Sequence, residues 1–137
     1  MLRKDAKIEL LKHVPLFSQC NKKQLAEIAS LADLVDVPAS TLLIREGAVG
    51  REFMVIVEGA VEVRRRGRKV TELGPGDFIG EIALISKAPR NATVITSKDS
   101  LLLAVTDRQF WGLLERAPDL QVRVIKALGA RLQPLDV

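Results

Sequence analysis

The apolar positions of this chain fall into three regimes, and each implies a different kind of element. Between Ala6 and Ala32, Ile8, Leu11 and Val14, then Leu25, Ile28, Ala29 and Ala32, recur at intervals of three and four, the spacing of one helical face. Two helices are expected there. Pro15 must end the first because its ring blocks the backbone ladder, Leu16-Phe17 forms an apolar plug at the corner, and Ser18 or Asn21 can cap the second. From Leu34 the period shortens to the alternating runs Leu34–Val37, Thr41–Ile44, Phe53–Val57, Ala60–Val63 and Val70–Leu73, and later Val94–Thr96 and Leu101–Val105. Seven of the nine glycines lie from Gly47 to Gly80, so the chain reverses tightly and repeatedly in this stretch, as an antiparallel unit requires. After Thr106-Asp107 the helical spacing returns, with Phe110, Leu113 and Leu114 on one face to about Arg116. Pro118 restarts a helix through Leu120, Val124, Ala127, Leu128, Arg131 and Leu132, which Pro134 ends. Helices, then about eight short strands, then helices make an α+β domain whose sheet forms a small sandwich or roll.

Length and composition narrow the function classes. A chain of 137 residues suits one domain, residues 1–137, and 47% hydrophobic with 28% charged residues supplies a core and excludes disorder. The longest apolar runs, Phe53–Val57 and Leu101–Val105, are far short of the twenty or so residues of a spanning helix. The opening MLRKDAKIELLKHV lacks the apolar stretch of a secretory signal, so a cytoplasmic protein is expected. One cysteine, Cys20, and one histidine, His13, provide neither an internal disulfide nor a thiolate- or imidazole-rich metal site. No metal is expected. Asp99, Ser100, Asp107 and His13 contain the residue types of a hydrolytic triad but no nucleophile elbow, and Glu46, Glu52 and Glu58 sit in turns and strand ends as solvated carboxylates. Neither a metal enzyme nor a triad hydrolase is therefore expected. Trp111 beside Phe110 could stack on a base, but its place in an amphipathic helix favours packing.

The net charge of +4 is local, because Arg64-Arg65-Arg66-Gly67-Arg68-Lys69 alone carries five positive charges. Such a run can meet nucleic acid or an acidic partner. Gly67 in its middle favours the solvated tip of a hairpin, more than a screening length of about 8 Å from any phosphate site.

One segment carries unusual chemistry: Phe78-Ile79-Gly80-Glu81-Ile82-Ala83-Leu84-Ile85, followed by Pro89-Arg90-Asn91-Ala92-Thr93-Val94. A glycine able to adopt a left-handed conformation precedes a short helical turn from Glu81 to Ile85. The opening N–H groups of such a turn have no internal partner and suit a phosphate. Arg90, on the loop that leaves the turn and stiffened by Pro89, offers a planar fork of donors for two phosphate oxygens. A carboxylate beside a phosphate is repulsive unless Glu81 accepts from a sugar hydroxyl. The alternative is a plain salt bridge between Glu81 and Arg90 across a loop. The residues alone leave both readings open.

The stretch FIGEIALISKAPRNATV resembles the phosphate-binding cassette of cyclic nucleotide-binding domains, the family of catabolite-activator-type regulators, cyclic-AMP-dependent kinase regulatory subunits and cyclic-nucleotide-gated channels. The resemblance spans nearly the whole chain. Val14-Pro15-Leu16-Phe17 and Leu25-Ala26-Glu27-Ile28-Ala29 are similar to the family's helical entry. Ile44-Arg45-Glu46-Gly47, Phe53–Gly59 and Leu73-Gly74-Pro75-Gly76-Asp77 are similar to its strand and turn signatures, in the family's order. It implies an eight-stranded antiparallel β-roll, jelly-roll-like, flanked by N-terminal and C-terminal helices, with the last helix as a lid.

By this resemblance Glu81 would bind the ribose 2′-hydroxyl, Arg90 the cyclic phosphate, and backbone N–H groups around Ile82, Ala83 and Ala92 would complete the cradle, with Gly80 the close-approach glycine. Asn91 departs from the alanine, serine or threonine usual there, and its amide could contact phosphate or guanine. Cyclic AMP is the expected ligand and cyclic GMP the alternative. A second departure is at the C-terminus, where Pro134 and the end at Val137 stop the last helix near where base contacts would begin. No DNA-reading segment is expected within this chain, so no nucleic acid partner is expected through it, while the protein partner, the oligomeric state and whether the chain is complete or a fragment stay open. The implied function is a non-enzymatic cyclic-nucleotide sensor whose ligand moves the C-terminal helices about a Pro118 hinge. The alternative is a scaffold domain that kept the fold without the ligand.

Overall fold

A computed structural model describes residues 2–131. The chain divides into two compact units, a helical one from Met1–Leu31 and Gln109–Val137, and a stranded one from Ala32–Arg108.

The helical unit contains α1 (Lys4–Lys12), a 3-10 turn at Pro15–Phe17, α2 (Lys22–Leu31), most of α3 (Asp107–Arg116) and α4 (Pro118–Arg131). Asn21, not Ser18, caps α2: its side-chain oxygen accepts from Gln24 N–H, and the Gln24 side chain accepts from Asn21 N–H, both at 2.9 Å. The two orphan donors thereby satisfy each other's residues as a capping box. The residues at helical spacing are buried as their period requires, among them Leu11, Val14, Leu25, Ile28, Leu120 and Val124. The plug at the corner is filled by Phe17, whose ring lies 5.7 Å from that of Phe110 in a tilted pair. Pro118 opens α4 where a missing N–H costs nothing, and Gln121 Nε2 donates to Leu114 O at 2.6 Å across the α3–α4 junction. Trp111 is half exposed. The ends of the helical pattern at Leu132 and Pro134 lie outside the described residues.

The stranded unit holds eight strands: β1 (Asp33–Val37), β2 (Leu42–Ile44), β3 (Glu52–Glu58), β4 (Val61–Arg65), β5 (Arg68–Leu73), β6 (Phe78–Ile79), β7 (Thr93–Thr96) and β8 (Ser100–Thr106). All pairings are antiparallel, in two four-stranded sheets ordered β1-β8-β3-β6 and β2-β7-β4-β5. The core draws on both: Met54, Ile56, Ile79 and Leu102 from the first sheet, and Ile44, Val61 and Val94 from the second. Strand alternation puts these residues on inward faces, so the two sheets share one apolar interior.

The basic run is less of a loop than its charge implies. Arg64 and Arg65 belong to β4 and pair with Lys69 and Arg68 of β5, so the turn is only Arg66-Gly67. Both have positive φ, 51° and 77°, the backbone of a two-residue type I′ hairpin. Carboxylates on the same strands absorb part of the charge, with Arg64 Nη2 2.6 Å from Glu62 and Lys69 3.3 Å from Glu72.

Candidate functional site

Two hydrogen-bonding strands fix where the unusual segment starts. Phe78 and Ile79 pair with Val55 and Met54, which holds β6 against β3 and delivers Gly80 to the rim of the roll. Gly80 turns there at φ +76°, the left-handed conformation, and a Cβ at this position would collide with the Arg90 guanidinium and lie 2.8 Å from Glu52 O. The 3-10 turn Glu81–Leu84 follows, anchored by the fully buried Leu84. Its Ala83 N–H donates back to Gly80 O at 3.0 Å, which closes the turn directly after Gly80.

The loop that returns to β7 is clamped by its backbone. Arg90 N–H donates to Ala48 O and Arg90 O accepts from Gly47 N–H, both at 2.8 Å, while Pro89 bridges to Val49. These contacts fix the Arg90 Cα and leave the side chain to reach inward between Gly50 and Gly80. A Cβ at Gly50 would overlap the guanidinium. Nη2 donates to Glu52 O at 2.6 Å, a main-chain oxygen rather than a carboxylate partner, and Nε is buried with no hydrogen-bond partner. Burial pushes the Arg90 pKa down, and the nearby Glu52 carboxylate opposes that shift. A cation is therefore kept partly desolvated with one donor unspent, a condition an entering anion would relieve.

A cavity of about 510 Å³ joins these groups within the stranded unit. Gly80, Glu81, Ala83, Arg90, Asn91 and Ala92 all line it, and Ile82 is the second residue of the turn beside it. Glu81 is only 5% exposed, so a carboxylate sits in the wall, not at the solvated surface. Val63, Val70, Leu73 and Val94 form an apolar wall, a surface for a flat, weakly polar group.

Two residues of this arrangement escape the sequence reading. Gly50 has no local signal, because its role is set by an arginine forty residues away. Arg65 corrects the picture of a remote tip: it lines the cavity, and its Nε donates to Asn91 O at 3.1 Å. The signal for it was the alternation Val61, Val63, Arg65, which puts all three on one face of β4. The net charge of the run obscured that register.

Residues 34–117 match the model of the cyclic nucleotide-binding domain, and that span contains the cavity and every residue of its wall named above. The chain belongs to this family. Cyclic nucleotide-binding domains of known sequence similar to it include the cAMP-dependent protein kinase regulatory subunit of Schizosaccharomyces pombe, 41% identical over 81% of this chain and 27% of that one. The Pycsar effector protein XpPycTIR of Xanthomonas perforans is 37% identical over 82% of this chain and 38% of its own length. The chain thus spans well under half the length of these relatives. Among solved structures, the N-terminal domain of a transcriptional regulator from Streptomyces coelicolor A3(2) superposes with a TM-score of 0.82 at 28% identity, covering 90% of this chain and 92% of that one. The antiparallel roll of eight strands with helices at both ends is the architecture of this domain family. The family is a regulatory, generally non-enzymatic one. Among the described residues no helix is long and apolar enough to cross a membrane, and no cluster of His, Cys, Asp or Glu could hold a metal ion.

Proposed function

We propose that this chain is the sensing module of a signalling protein, a cytosolic, non-enzymatic domain that binds a purine 3′,5′-cyclic nucleotide and converts occupancy into movement of its C-terminal helices. The observation that carries the reading is the Arg90 side chain, threaded between two glycines with its Nε buried and unpartnered at the wall of a cavity that also holds the Glu81 carboxylate.

In this reading the cyclic phosphate lies on Arg90, the opening amides of the Glu81–Leu84 turn and the Ala92 backbone, at the place Gly80 keeps open. Glu81 accepts from the ribose 2′-hydroxyl. The base lies against the apolar wall, within reach of Asn91. Each group matches the charge or donor pattern of the ligand part it would meet. The name of the kinase relatives supports cyclic AMP, and cyclic GMP offers the same phosphate and sugar. Ligand shifts the helices only by its differential affinity for their two arrangements, with the Pro118 junction as the point of bending.

Calorimetric and thermal titrations of the chain with cyclic AMP and cyclic GMP test the proposal. Ligand at a hundred times its dissociation constant stabilises by about 2.7 kcal/mol, which raises the melting midpoint of a domain this size by roughly 7 to 12 °C. A midpoint that ignores millimolar amounts of both nucleotides would leave a scaffold domain that kept only the fold.

A further inference from the structure

The β4–β5 hairpin breaks local rules repeatedly between Arg64 and Lys69. Arg64 pairs directly with Lys69 and Arg65 with Arg68, so successive cross-strand pairs set like charges opposite one another, where opposite signs stabilise and like signs repel. The first turn position is Arg66 at φ 51°, a left-handed backbone that in this turn type favours asparagine or glycine. The charge is compensated only in part. Arg64 meets Glu62 at 2.6 Å and Lys69 meets Glu72 at 3.3 Å, whereas among the described residues no carboxylate forms an ion pair with Arg65, Arg66 or Arg68. All of these are exposed, and the backbone that presents them is anchored on two sides. Arg66 N–H donates to Glu46 Oε1 at 3.0 Å in the loop after β2, and Arg65 Nε donates to Asn91 O at 3.1 Å in the loop before β7.

We infer that this tip is a docking surface for an acidic segment of a partner protein, independently of the nucleotide reading. A sequence breaks local rules, at a cost in stability, where a function requires it, and repulsion among anchored guanidinium groups is what an incoming anion would cancel. Carboxylates match the planar fork of an arginine through two parallel hydrogen bonds. The distribution of charge favours a short acidic segment over a nucleic acid. The run carries five positive charges while the whole chain nets +4, so the remainder is slightly negative and would repel a polyanion that extends past the tip. Docking would use side chains and not strand addition, because the register slip that leaves Val70 without a partner on β4 puts a bulge in the open edge of β5.

Fluorescence anisotropy and thermal melts of the wild-type chain, Arg68→Glu, Arg66→Asn and Lys126→Glu test this, with a labelled, end-blocked hexaglutamate peptide and oligothymidylate of equal charge as probes. Arg68→Glu sets an opposite charge against Arg65, and Arg66→Asn supplies the residue the turn prefers. Each should therefore raise the melting midpoint of the free chain by about 1 to 4 °C. Both should weaken hexaglutamate binding, Arg68→Glu by about tenfold or more, while the exposed reversal Lys126→Glu on α4 leaves it unchanged. The wild type should bind hexaglutamate more tightly than oligothymidylate, and less tightly as salt rises. Absent hexaglutamate binding, an equal loss in Lys126→Glu, or tighter binding of oligothymidylate would overturn the inference, the last by making the tip a nucleic-acid contact. Arg68→Glu and Arg66→Asn chains less stable than the wild type would overturn it too, since the hairpin charges would then serve the fold. A cyclic-AMP affinity that falls as far as the hexaglutamate affinity in Arg68→Glu would assign the charges to the cavity instead.

Discussion

Arg90 and Glu52 are joined by a 2.6 Å hydrogen bond from a guanidinium Nη to a main-chain oxygen thirty-eight residues away. The bond ties the loop before β7 to the start of β3, so the cation at the cavity wall is part of the scaffold before any ligand arrives. Nε is left without a partner, and burial already disfavours the charge. An anion in the cavity would supply what the scaffold does not.

Removing the guanidinium should therefore cost binding far more than folding. Truncating one member of a buried, hydrogen-bonded charge pair costs about 2–5 kcal/mol, so Arg90→Ala should weaken cyclic-nucleotide affinity roughly 30-fold to several thousand-fold. Arg90→Lys should recover only part, since an ammonium keeps charge without the planar fork. The ligand-free melting midpoint should stay within a few degrees, because the lost Glu52 bond is offset by the removal of a poorly solvated cation. Unchanged affinity in calorimetry would remove Arg90 from the site, and an unfolded Arg90→Ala would make it a structural residue.

Gly50 should act through Arg90 alone. Its backbone has no positive φ, so a methyl group is excluded only by the guanidinium it would overlap. Gly50→Ala should displace that side chain and weaken nucleotide binding at least tenfold, with overpacking costing about 1–3 kcal/mol of stability. Gly74, which has open space where a Cβ would go, is the control: Gly74→Ala should change neither affinity nor melting appreciably. Equal behaviour of the two variants in paired titrations and melts would show that Gly50 does not position Arg90.

Glu81 should be felt through the sugar. Hydrogen bonds to a charged group contribute about 1.5–3 kcal/mol, so the wild type should prefer a ribose cyclic nucleotide over its 2′-deoxy analogue by about 10- to 150-fold. Glu81→Ala should abolish that preference while binding the deoxy form about as well as the wild type does. A mutant that still tells the two apart would mean that the carboxylate does not meet the 2′-hydroxyl.

Cys20 should be an inert thiol. Burial pushes its pKa up to about 11, with the Arg123 charge opposing only in part. Near pH 8 its thiolate is about a hundred-fold scarcer than that of an ordinary cysteine at 9.0, so iodoacetamide should label the native chain correspondingly slowly and the denatured chain at the normal rate. The sign for stability follows: above pH 9 the unfolded thiol ionises before the folded one, the native state then holds more protons, and stability falls as pH climbs towards 11. Equal labelling rates in native and denatured protein would mean that the thiol is not buried.

Local physics made most of the elements and part of the site legible in the chain. The three-and-four spacing of Leu25, Ile28 and Ala29, the break at Pro15 and the glycine before Glu81 each act on their own few residues, and each appears where that physics requires. Glu81 and Arg90 were visible as candidates because only a few residue types can accept from a sugar or clasp a phosphate. Three features were not legible, for one reason. The two-residue strand β6 is too short to have a period and exists because β3 offers it partners. Gly50 is defined by the space Arg90 needs, and Arg65 by a register that turns the third inward position of β4 onto Asn91. Each depends on a neighbour 23 to 40 residues away, and such contacts form only once the strands have paired.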